Sequence, residues 1–227
     1  MHIPKDQEPH HQPFDFQHDF TWRIFRVMAE FTEGLEFVSE LKRPVTFFGS
    51  ARTPRTSLHY KAAVQLARKL GRDGYTVITG GGPGIMEAAN KGAHQVKAPS
   101  VGLNIQLPFE QRTNKYVQKS VGFYYFFSRK SMLSTSAQAY VFFPGGYGTM
   151  DEFFTIVTLI ETGKIEARPI VLYGYDFWKP FDAFIKEKML NERSIDVDDV
   201  SIYSIVDTVD EAFRIVQTSK ERQLTFM

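Results

Sequence analysis

The sequence predicts an α/β fold, a doubly wound parallel sheet with helices on both faces. Three observations lead to this prediction: short runs that are apolar at every position, amphipathic stretches between them, and glycine-rich turns where a run passes into the next stretch. Strands that are apolar on both faces are typical of a buried parallel sheet. Alternation of such strands with helices implies right-handed crossovers.

The predicted elements follow one another along the chain. Residues 1–43 are predicted to form a polar tail and one long amphipathic helix, Phe16–Leu41, ahead of a single domain over 44–227. Predicted strands lie at Val45–Phe48, Thr76–Thr79, Val101–Ile105, Tyr140–Phe143 and Ile170–Tyr173, with another near Ile202–Val206. Predicted helices lie at His59–Arg72, Ile85–Gln95, Lys130–Gln138 and Glu152–Thr162, with a surface helix after Asp176 and a closing helix from Val209. The aromatic run Val121–Phe127 fits either a strand or the lining of a cleft, and we expect a short extended segment.

Composition limits the classes of function. The 227 residues carry 27 Lys and Arg against 26 Asp and Glu, and a net charge of +1 gives no global field to attract nucleic acid or a membrane surface. Cysteine is absent, which excludes disulfides and thiolate catalysis, and the six histidines show no ligand spacing. No apolar run is long enough to span a bilayer. We therefore expect a soluble cytoplasmic protein with no metal, no cofactor, and no nucleic-acid or membrane partner.

The most informative segment is Tyr140–Glu152, where an apolar strand enters a glycine-rich turn and the turn opens a helix that carries a carboxylate. A second segment, Val77–Glu87, has the same design. Backbone N–H groups and the positive end of the helix dipole converge at such a turn and form an anion site, for which phosphate is the expected ligand. Neither turn has the spacing of a dinucleotide fingerprint or a P-loop. An acid beside the turn would repel a pyrophosphate but suits a sugar whose anomeric carbon becomes cationic, which indicates glycosidic chemistry.

Purely structural explanations stay open for each of these signals. Thr149 and Glu152 also fit a helix capping box. Gly80–Gly84 also fits a tight turn without a ligand, and the aromatic run fits core packing. Arg129 and Lys130 fit a solvated pair at a helix start, although Lys130 there would oppose the helix dipole, which favours an anionic partner.

Two motifs carry a resemblance to a known family. Pro144–Glu152, read as Pro-Gly-Gly-Tyr-Gly-Thr-Met-Asp-Glu, together with Ser128–Met132 resembles the signature pair of the Lonely Guy (LOG) family, formerly labelled possible lysine decarboxylases. The form of Gly80–Asn90 and the N-terminal helix are closer to the larger bacterial branch than to the short plant-type enzymes. The resemblance covers about 45–217 and implies a Rossmann-like fold. It also implies a phosphoribohydrolase, which splits a nucleoside 5′-monophosphate such as AMP or a cytokinin riboside monophosphate into free base and ribose 5-phosphate. Nothing in the sequence resembles a pyridoxal-phosphate lysine site, so the decarboxylase label finds no support.

The resemblance implies roles for individual residues. Arg129 and Glu152 match the catalytic pair, in which Glu152 supplies an anion beneath the sugar and orients water while Arg129 stabilises the leaving base. Glu87 equally fits a residue that ties down its own helix. The candidate substrate-binding residues come from the phosphate turn, the other strand ends and the neighbouring helices: Gly49, Ser50, Gly82, Glu87, Glu110, Lys130, Gly145, Gly146, Gly148, Thr149 and Thr158.

Partners and an alternative class complete the prediction. The expected ligand is a small nucleotide, and apolar residues suggest a homodimer or a higher homo-oligomer. These residues lie on the N-terminal helix and beside the active turn, the latter being Phe153, Phe154, Ile156 and Leu159. In the family that the chain resembles, pockets are completed across a dimer interface. The alternative is a non-catalytic nucleotide or molybdenum-cofactor binding or carrier protein, which would not require Arg129 and Glu152 together.

Overall fold

A computed structural model describes residues 20–106 and 113–222. Within these ranges, seven strands form one sheet. They are β1 (Pro44–Phe48), β2 (Thr76–Thr79), β3 (Ser100–Ile105), β4 (Lys119–Phe123), β5 (Ala139–Phe142), β6 (Ile170–Tyr173) and β7 (Tyr203–Val206). The helices are α1 (Phe20–Ser39), α2 (Leu58–Arg72), α3 (Ile85–Gln95), α4 (Phe126–Ser136), α5 (Tyr147–Glu161), α6 (Tyr175–Phe184) and α7 (Val209–Gln217). A π-helical turn at Ile185–Met189 and a 3-10 turn at Val197–Ser201 lie between α6 and β7.

The strand order is β4-β3-β2-β1-β5-β6-β7, and every neighbouring pair is parallel. The chain builds outward from β1 to β4, returns to place β5 on the other side of β1, and then builds outward to β7. The order therefore reverses between β1 and β5, where Phe48 is in register with Phe142. Doubly wound sheets bind ligands beyond the carboxyl ends of the strands at such a reversal.

Two hydrophobic layers sandwich the sheet. On one face α2, α3 and α7 pack with side chains such as Val45, Phe47 and Val141. On the other face α1, α4, α5 and α6 pack with side chains such as Phe48 and Phe142. Alternate residues of one strand thus enter opposite layers, as the pleat requires. The predicted doubly wound α/β fold is confirmed.

Two helices begin about one turn before their predicted starts, and both differences affect the site. The first residue of α4 is Phe126, and the first residue of α5 is Tyr147. Local sequence hides these starts, because aromatic residues favour extended structure and glycines disfavour helix. The aromatic run is divided accordingly: β4 ends at Phe123 and the helix follows. Arg129 and Glu152 therefore both lie inside helices.

The apolar surface differs in part from the one expected. Phe153 and Ile156 are fully buried in the core and leave no surface for a partner, whereas Phe154 is 40% exposed. The N-terminal helix does expose apolar side chains as expected, at Trp22, Ile24, Phe25 and Met28. In the described ranges, no helix combines the length and the apolarity that a membrane crossing needs.

Candidate active site

A cavity of about 590 Å³ opens at the carboxyl ends of β1 and β5. Its walls come from the turn after β1, the starts of α4 and α5, and two residues beyond β2. The lining residues are Phe47, Phe48, Gly49, Ser50, Ala51, Arg52, Gly80, Met86, Phe126, Arg129, Gly146, Tyr147, Gly148, Thr149, Asp151 and Glu152. The reversal of strand order thus brings together most of the candidate residues that the sequence places far apart.

The start of α5 forms part of the wall of this cavity. Gly146 is the N-cap residue, and its carbonyl accepts the amides of Thr149 at 3.0 Å and Met150 at 3.1 Å. The first amides of a helix have no partner within the helix, and the dipole is positive at that end. Because Gly146, Tyr147 and Gly148 all line the cavity, this helix start can receive a phosphate group.

The capping box that Thr149 and Glu152 also fit in the sequence does not form, because α5 begins upstream of Thr149 and no side chain caps it. Thr149 lies in the first helical turn and packs against Gly145, where an added Cβ would be 2.0 Å from the Thr149 hydroxyl oxygen. Gly145 is therefore needed for the fold of the turn. An added Cβ at Gly146 or Gly148 would meet no atom within 4 Å, so these two glycines border open space.

Ser50 links the end of β1 to the end of β5 and to the start of α3. Its amide donates to the Pro144 carbonyl at 3.0 Å, and its carbonyl accepts the Ile85 amide at 3.1 Å. Gly84 makes the second bond possible, since it has φ +68° and an added Cβ there would lie 2.3 Å from the Ser50 carbonyl oxygen. Gly49 is equally confined, because an added Cβ there would lie 2.8 Å from the side chain of Ile85. The turn after β1 is thus held rigidly at the edge of the cavity.

Glu152 is a buried acid on the cavity wall. Its side chain lies in the second turn of α5, the residue is only 8% exposed, and Oε2 has no hydrogen-bond partner among the described residues. Burial raises the pKa of this carboxyl to about 7, although the positive charges of Arg129 and Lys130 oppose the increase. The negative charge of Asp151 adds to it. A desolvated acid with an unsatisfied oxygen in a cavity is costly for folding and typical of functional sites.

Arg129 faces the same cavity from α4. Its Nε donates to the Leu103 carbonyl at 2.7 Å, which fixes the guanidinium against the end of β3. Burial lowers the pKa of Arg129, and the negative charge of Glu152 raises it again in part. Gly80 makes room for this side chain, because an added Cβ would lie 2.3 Å from Arg129 Nη2.

In the second glycine-rich turn, Gly81 and Gly82, which follow Gly80, are bonded to a side chain of the same chain. The side-chain Nδ2 of Asn114 donates to the carbonyls of Gly81 at 3.1 Å and Gly82 at 3.0 Å, and also to Asn90 Oδ1 at 2.9 Å. These bonds fix the two carbonyls of the turn against Asn114. Gly80 lines the main cavity, whereas Gly82 borders a neighbouring cavity of only about 10 Å³.

Glu87 follows the structural explanation offered for it. Its Oε1 accepts from Arg55 Nη2 at 2.7 Å and from the Tyr60 hydroxyl at 3.1 Å. Burial and the bond to Glu87 raise the pKa of Tyr60 to about 12. The carboxylate thus ties α3 to α2, and within the described chain it is not part of the main cavity wall.

Two further candidates lie away from the cavity wall. Lys130 is paired with Asp151 at 2.6 Å and reaches the rim through that residue. Thr158 is exposed farther along α5. Glu110 lies outside the described residues.

Several lining residues were not indicated by the sequence: Arg52, Met86, Tyr147 and Asp151. Arg52 follows the same strand end as Ser50, whose hydroxyl accepts the Arg52 amide at 3.1 Å. A cation two residues beyond a Gly-Ser turn was therefore a readable signal. Phe126 belongs to the aromatic run for which a cleft lining was one of two explanations, and it does line the cavity, from a helix and not from the extended segment that was expected.

These features define a Rossmann-like α/β protein in which a glycine-rich helix start, a buried acid and a buried guanidinium share one cavity. The chain belongs to the family described as "Possible lysine decarboxylase", whose model matches residues 86–216. This is the family that the signature motifs indicated, so its identification from the sequence is confirmed.

Curated relatives in plants carry a more specific name. The chain is similar to the cytokinin riboside 5′-monophosphate phosphoribohydrolase LOG of Oryza sativa subsp. japonica, with 29% identity over 153 residues, which is 65% of this chain and 61% of that protein. The chain therefore spans less than two thirds of the rice protein. It is likewise 29% identical to the enzyme LOG2 of Arabidopsis thaliana over 163 residues, 69% of this chain and 74% of the relative.

Solved structures confirm the architecture. The molybdenum cofactor carrier protein of Chlamydomonas reinhardtii matches with a TM-score of 0.58 and 20% identity, covering 78% of this chain and 97% of the carrier. A molybdenum cofactor binding protein from Rippkaea orientalis matches with a TM-score of 0.55 and 18% identity, covering 77% of this chain and 94% of that protein. At these identities the likeness establishes the shared fold alone.

The burial of Glu152 predicts an unusual pH dependence of stability. The folded protein binds this proton more tightly than the unfolded chain, since the pKa rises from 4.5 to about 7. The stabilisation is complete below pH 4.5 and is lost as pH rises through 7. From about pH 5 to pH 8, the free energy of unfolding of the wild type should fall by about 2 to 3 kcal/mol relative to that of Glu152→Gln, at about 1.4 kcal/mol per pKa unit.

Urea unfolding at the two pH values measures this difference. Glu161→Gln, at an exposed carboxylate of the same helix, is the matched control and should follow the wild type. Equal pH dependence of the wild type and the Glu152 variant would contradict the raised pKa.

Proposed function

We propose that this chain hydrolyses the N-glycosidic bond of a nucleoside 5′-monophosphate, AMP or a cytokinin riboside monophosphate, to free base and ribose 5-phosphate. The observation that carries the proposal is the buried, incompletely bonded carboxylate of Glu152 next to Arg129, in a cavity that ends at the glycine-rich start of α5. The names of the rice and Arabidopsis relatives support the same activity.

The proposed binding mode uses the helix start for the 5′-phosphate. Gly146 and Gly148 leave space for the phosphate oxygens, the amides of the first turn bind them, and Arg52 adds a positive charge from the turn after β1. Held at this point, the ribose extends along α5 with C1′ towards Glu152. Binding energy from the phosphate then fixes the reacting carbon relative to the carboxylate.

The proposed reaction needs opposite charges on the two sides of the bond. As the bond between C1′ and the base nitrogen breaks, its electron pair leaves with the base and C1′ becomes cationic. The ionised form of Glu152 stabilises that cation and orients the attacking water, whose oxygen bonds to C1′. Arg129, which stays protonated near neutral pH, stabilises the departing base, and the proton released from water completes the free base.

A second candidate function is binding without turnover, as in a nucleotide or molybdenum-cofactor carrier. The same helix start suits the phosphate group of either ligand, and solved structures of this fold include such carriers. The buried pair of Glu152 and Arg129 favours the hydrolase, because a carrier has no developing charge to stabilise.

We also propose a homo-oligomer. The apolar side chains that α1 exposes are more numerous than a solvent-facing helix requires. Thr158 lies on the exposed part of α5, so its proposed contact with substrate would have to be made from outside the cavity described for a single chain.

Base release from AMP tests the proposed activity. The wild type should release adenine and ribose 5-phosphate in equal amounts, while Glu152→Ala should lose at least about 100-fold in kcat. Glu161→Ala should keep wild-type turnover, and isopentenyl-AMP measured in parallel reports the base preference. Adenosine should be a poor substrate because it lacks the phosphate. Binding of monophosphates without release of any base would instead establish the carrier function.

Glycine substitutions in the α5 start test the phosphate site. Gly148→Ala should leave stability unchanged or raise it by about 0.5 to 1 kcal/mol, since alanine favours helix and meets no neighbour. The same change should raise KM for AMP about tenfold, because the added methyl group occupies the space assigned to phosphate. Gly145→Ala is the contrasting variant, and its clash with Thr149 should cost about 1 to 3 kcal/mol of stability. An unchanged AMP affinity in Gly148→Ala would contradict a phosphate site at the start of α5.

The pH profile of kcat/KM tests the ionised role of Glu152. Activity should rise with pH through an apparent pKa near 7, because the carboxylate form is the reactive one. Asp151→Asn should lower this midpoint, since the negative charge of Asp151 raises the Glu152 pKa. The phosphate of AMP titrates near 6 and does not depend on that substitution. A midpoint that stays in place in Asp151→Asn would assign the titration to the substrate.

A further inference from the structure

Helix α4 carries Arg129 but has no cap in its own sequence. Its N-cap residue is Tyr125, which makes no side-chain capping bond, and no acidic residue lies in its first turn. The first turn is followed at once by Arg129 and Lys130, whose positive charges oppose the helix dipole. Without contacts from other parts of the chain, this helix start would be poorly stabilised, and it is the part of α4 that carries Arg129.

Glu30 of α1, from a distant part of the chain, binds the N-cap residue of α4, the residue before it and one side chain of the first turn. Its Oε1 accepts the Tyr124 amide at 2.8 Å, and its Oε2 accepts the Tyr125 amide at 3.3 Å and the hydroxyl of Ser128. Glu30 is 8% exposed and Ser128 is fully buried, so these bonds are shielded from water. Charge-assisted bonds of this kind are stronger than neutral ones.

The surrounding contacts make this link rigid. Gly34, one turn farther along α1, packs so closely that an added Cβ would lie 2.8 Å from Met132 Cγ of α4. Arg26, one turn before Glu30, lies 3.8 Å from its carboxylate and stacks 3.9 Å above the centre of the Tyr124 ring. These contacts hold the start of α4 closely against α1.

We infer that Glu30 is a positioning residue for Arg129: through it, the N-terminal helix fixes the start of α4 and thereby the guanidinium at the cavity. Ser128, which Glu30 binds, directly precedes Arg129, and the other anchor of Arg129 is the Leu103 carbonyl. The inference extends the proposed function, because its kinetic consequence concerns that reaction.

Kinetics of Glu30→Ala and Glu30→Gln in the full chain give the first test. A guanidinium displaced by about 1 Å should lower kcat for AMP about 10- to 100-fold, with KM changed less than about threefold because the α5 phosphate site is intact. Gln keeps one acceptor oxygen and should restore most of kcat. Glu33→Ala, at an exposed carboxylate of the same helix, should behave as the wild type. A fall in kcat that merely matches the loss of folded protein would overturn the inference.

A second test does not depend on activity. Arg129 lowers the pKa of Glu152, while Lys130 acts in the same direction and Asp151 in the opposite one. Displacing Arg129 should therefore raise the titration midpoint of Glu152, measured by carbon NMR on glutamate-labelled protein, in Glu30→Ala and to a smaller extent in Glu30→Gln. An unchanged midpoint in both variants would overturn the positioning role. If the wild type releases no base from AMP, the proposed reaction fails while this titration still decides the role of Glu30.

Discussion

Between β1 and β5 the order of the parallel sheet reverses, and the chain leaves the two strand ends for opposite faces, to α2 in one case and α5 in the other. This divergence opens a crevice that no helix fills. The backbone hydrogen bonds of Ser50 with Pro144 and Ile85 link the segments at the base of this crevice. All other features of the site depend on that gap, because the glycine turn and the acid reach it from α5 while the guanidinium reaches it from α4.

The site is stabilised by the core that surrounds it. Phe153, the residue after Glu152, is fully buried and packs edge-on against Phe142 and Phe181, with ring centroids 5.6 Å and 5.4 Å apart. Its ring also packs against Trp178, with centroids 6.1 Å apart. Such aromatic packing fixes α5 against the sheet. A carboxylate that would prefer water is thereby kept in the cavity by the neighbouring side chain, and the cost of its desolvation is spread over a well-packed layer.

Sequence reasoning succeeded where the determinants are local. The apolar runs Thr76–Thr79 and Ile170–Tyr173 have the predicted bounds, because continuous burial leaves a direct pattern in the residues. The helix Ile85–Gln95 was also predicted with its observed bounds, since a glycine turn precedes it. Arg129 and Glu152 were singled out by motif, and the structure brings both to one cavity.

Failures arose where the determinant lies far away in sequence. The start of α4 at Phe126 depends on Glu30, a partner that no local pattern announces. The start of α5 at Tyr147 follows a glycine N-cap with no side-chain cap, so the capping box that the sequence left open for Thr149 does not form. Glu87 was ambiguous in the sequence because its partner Arg55 comes from a loop whose position only the tertiary fold defines.

Gly80 shows what a glycine-rich motif can mean beyond anion binding. The absence of a side chain there gives Arg129 the volume that its guanidinium occupies, while the next two carbonyls are bonded to Asn114. The turn is thus shaped around a cation of the same chain, whereas Gly146 and Gly148 of the other turn border open space in the cavity. A run of glycines therefore marks a place that must stay free of side chains, and the residues around it decide what occupies that place.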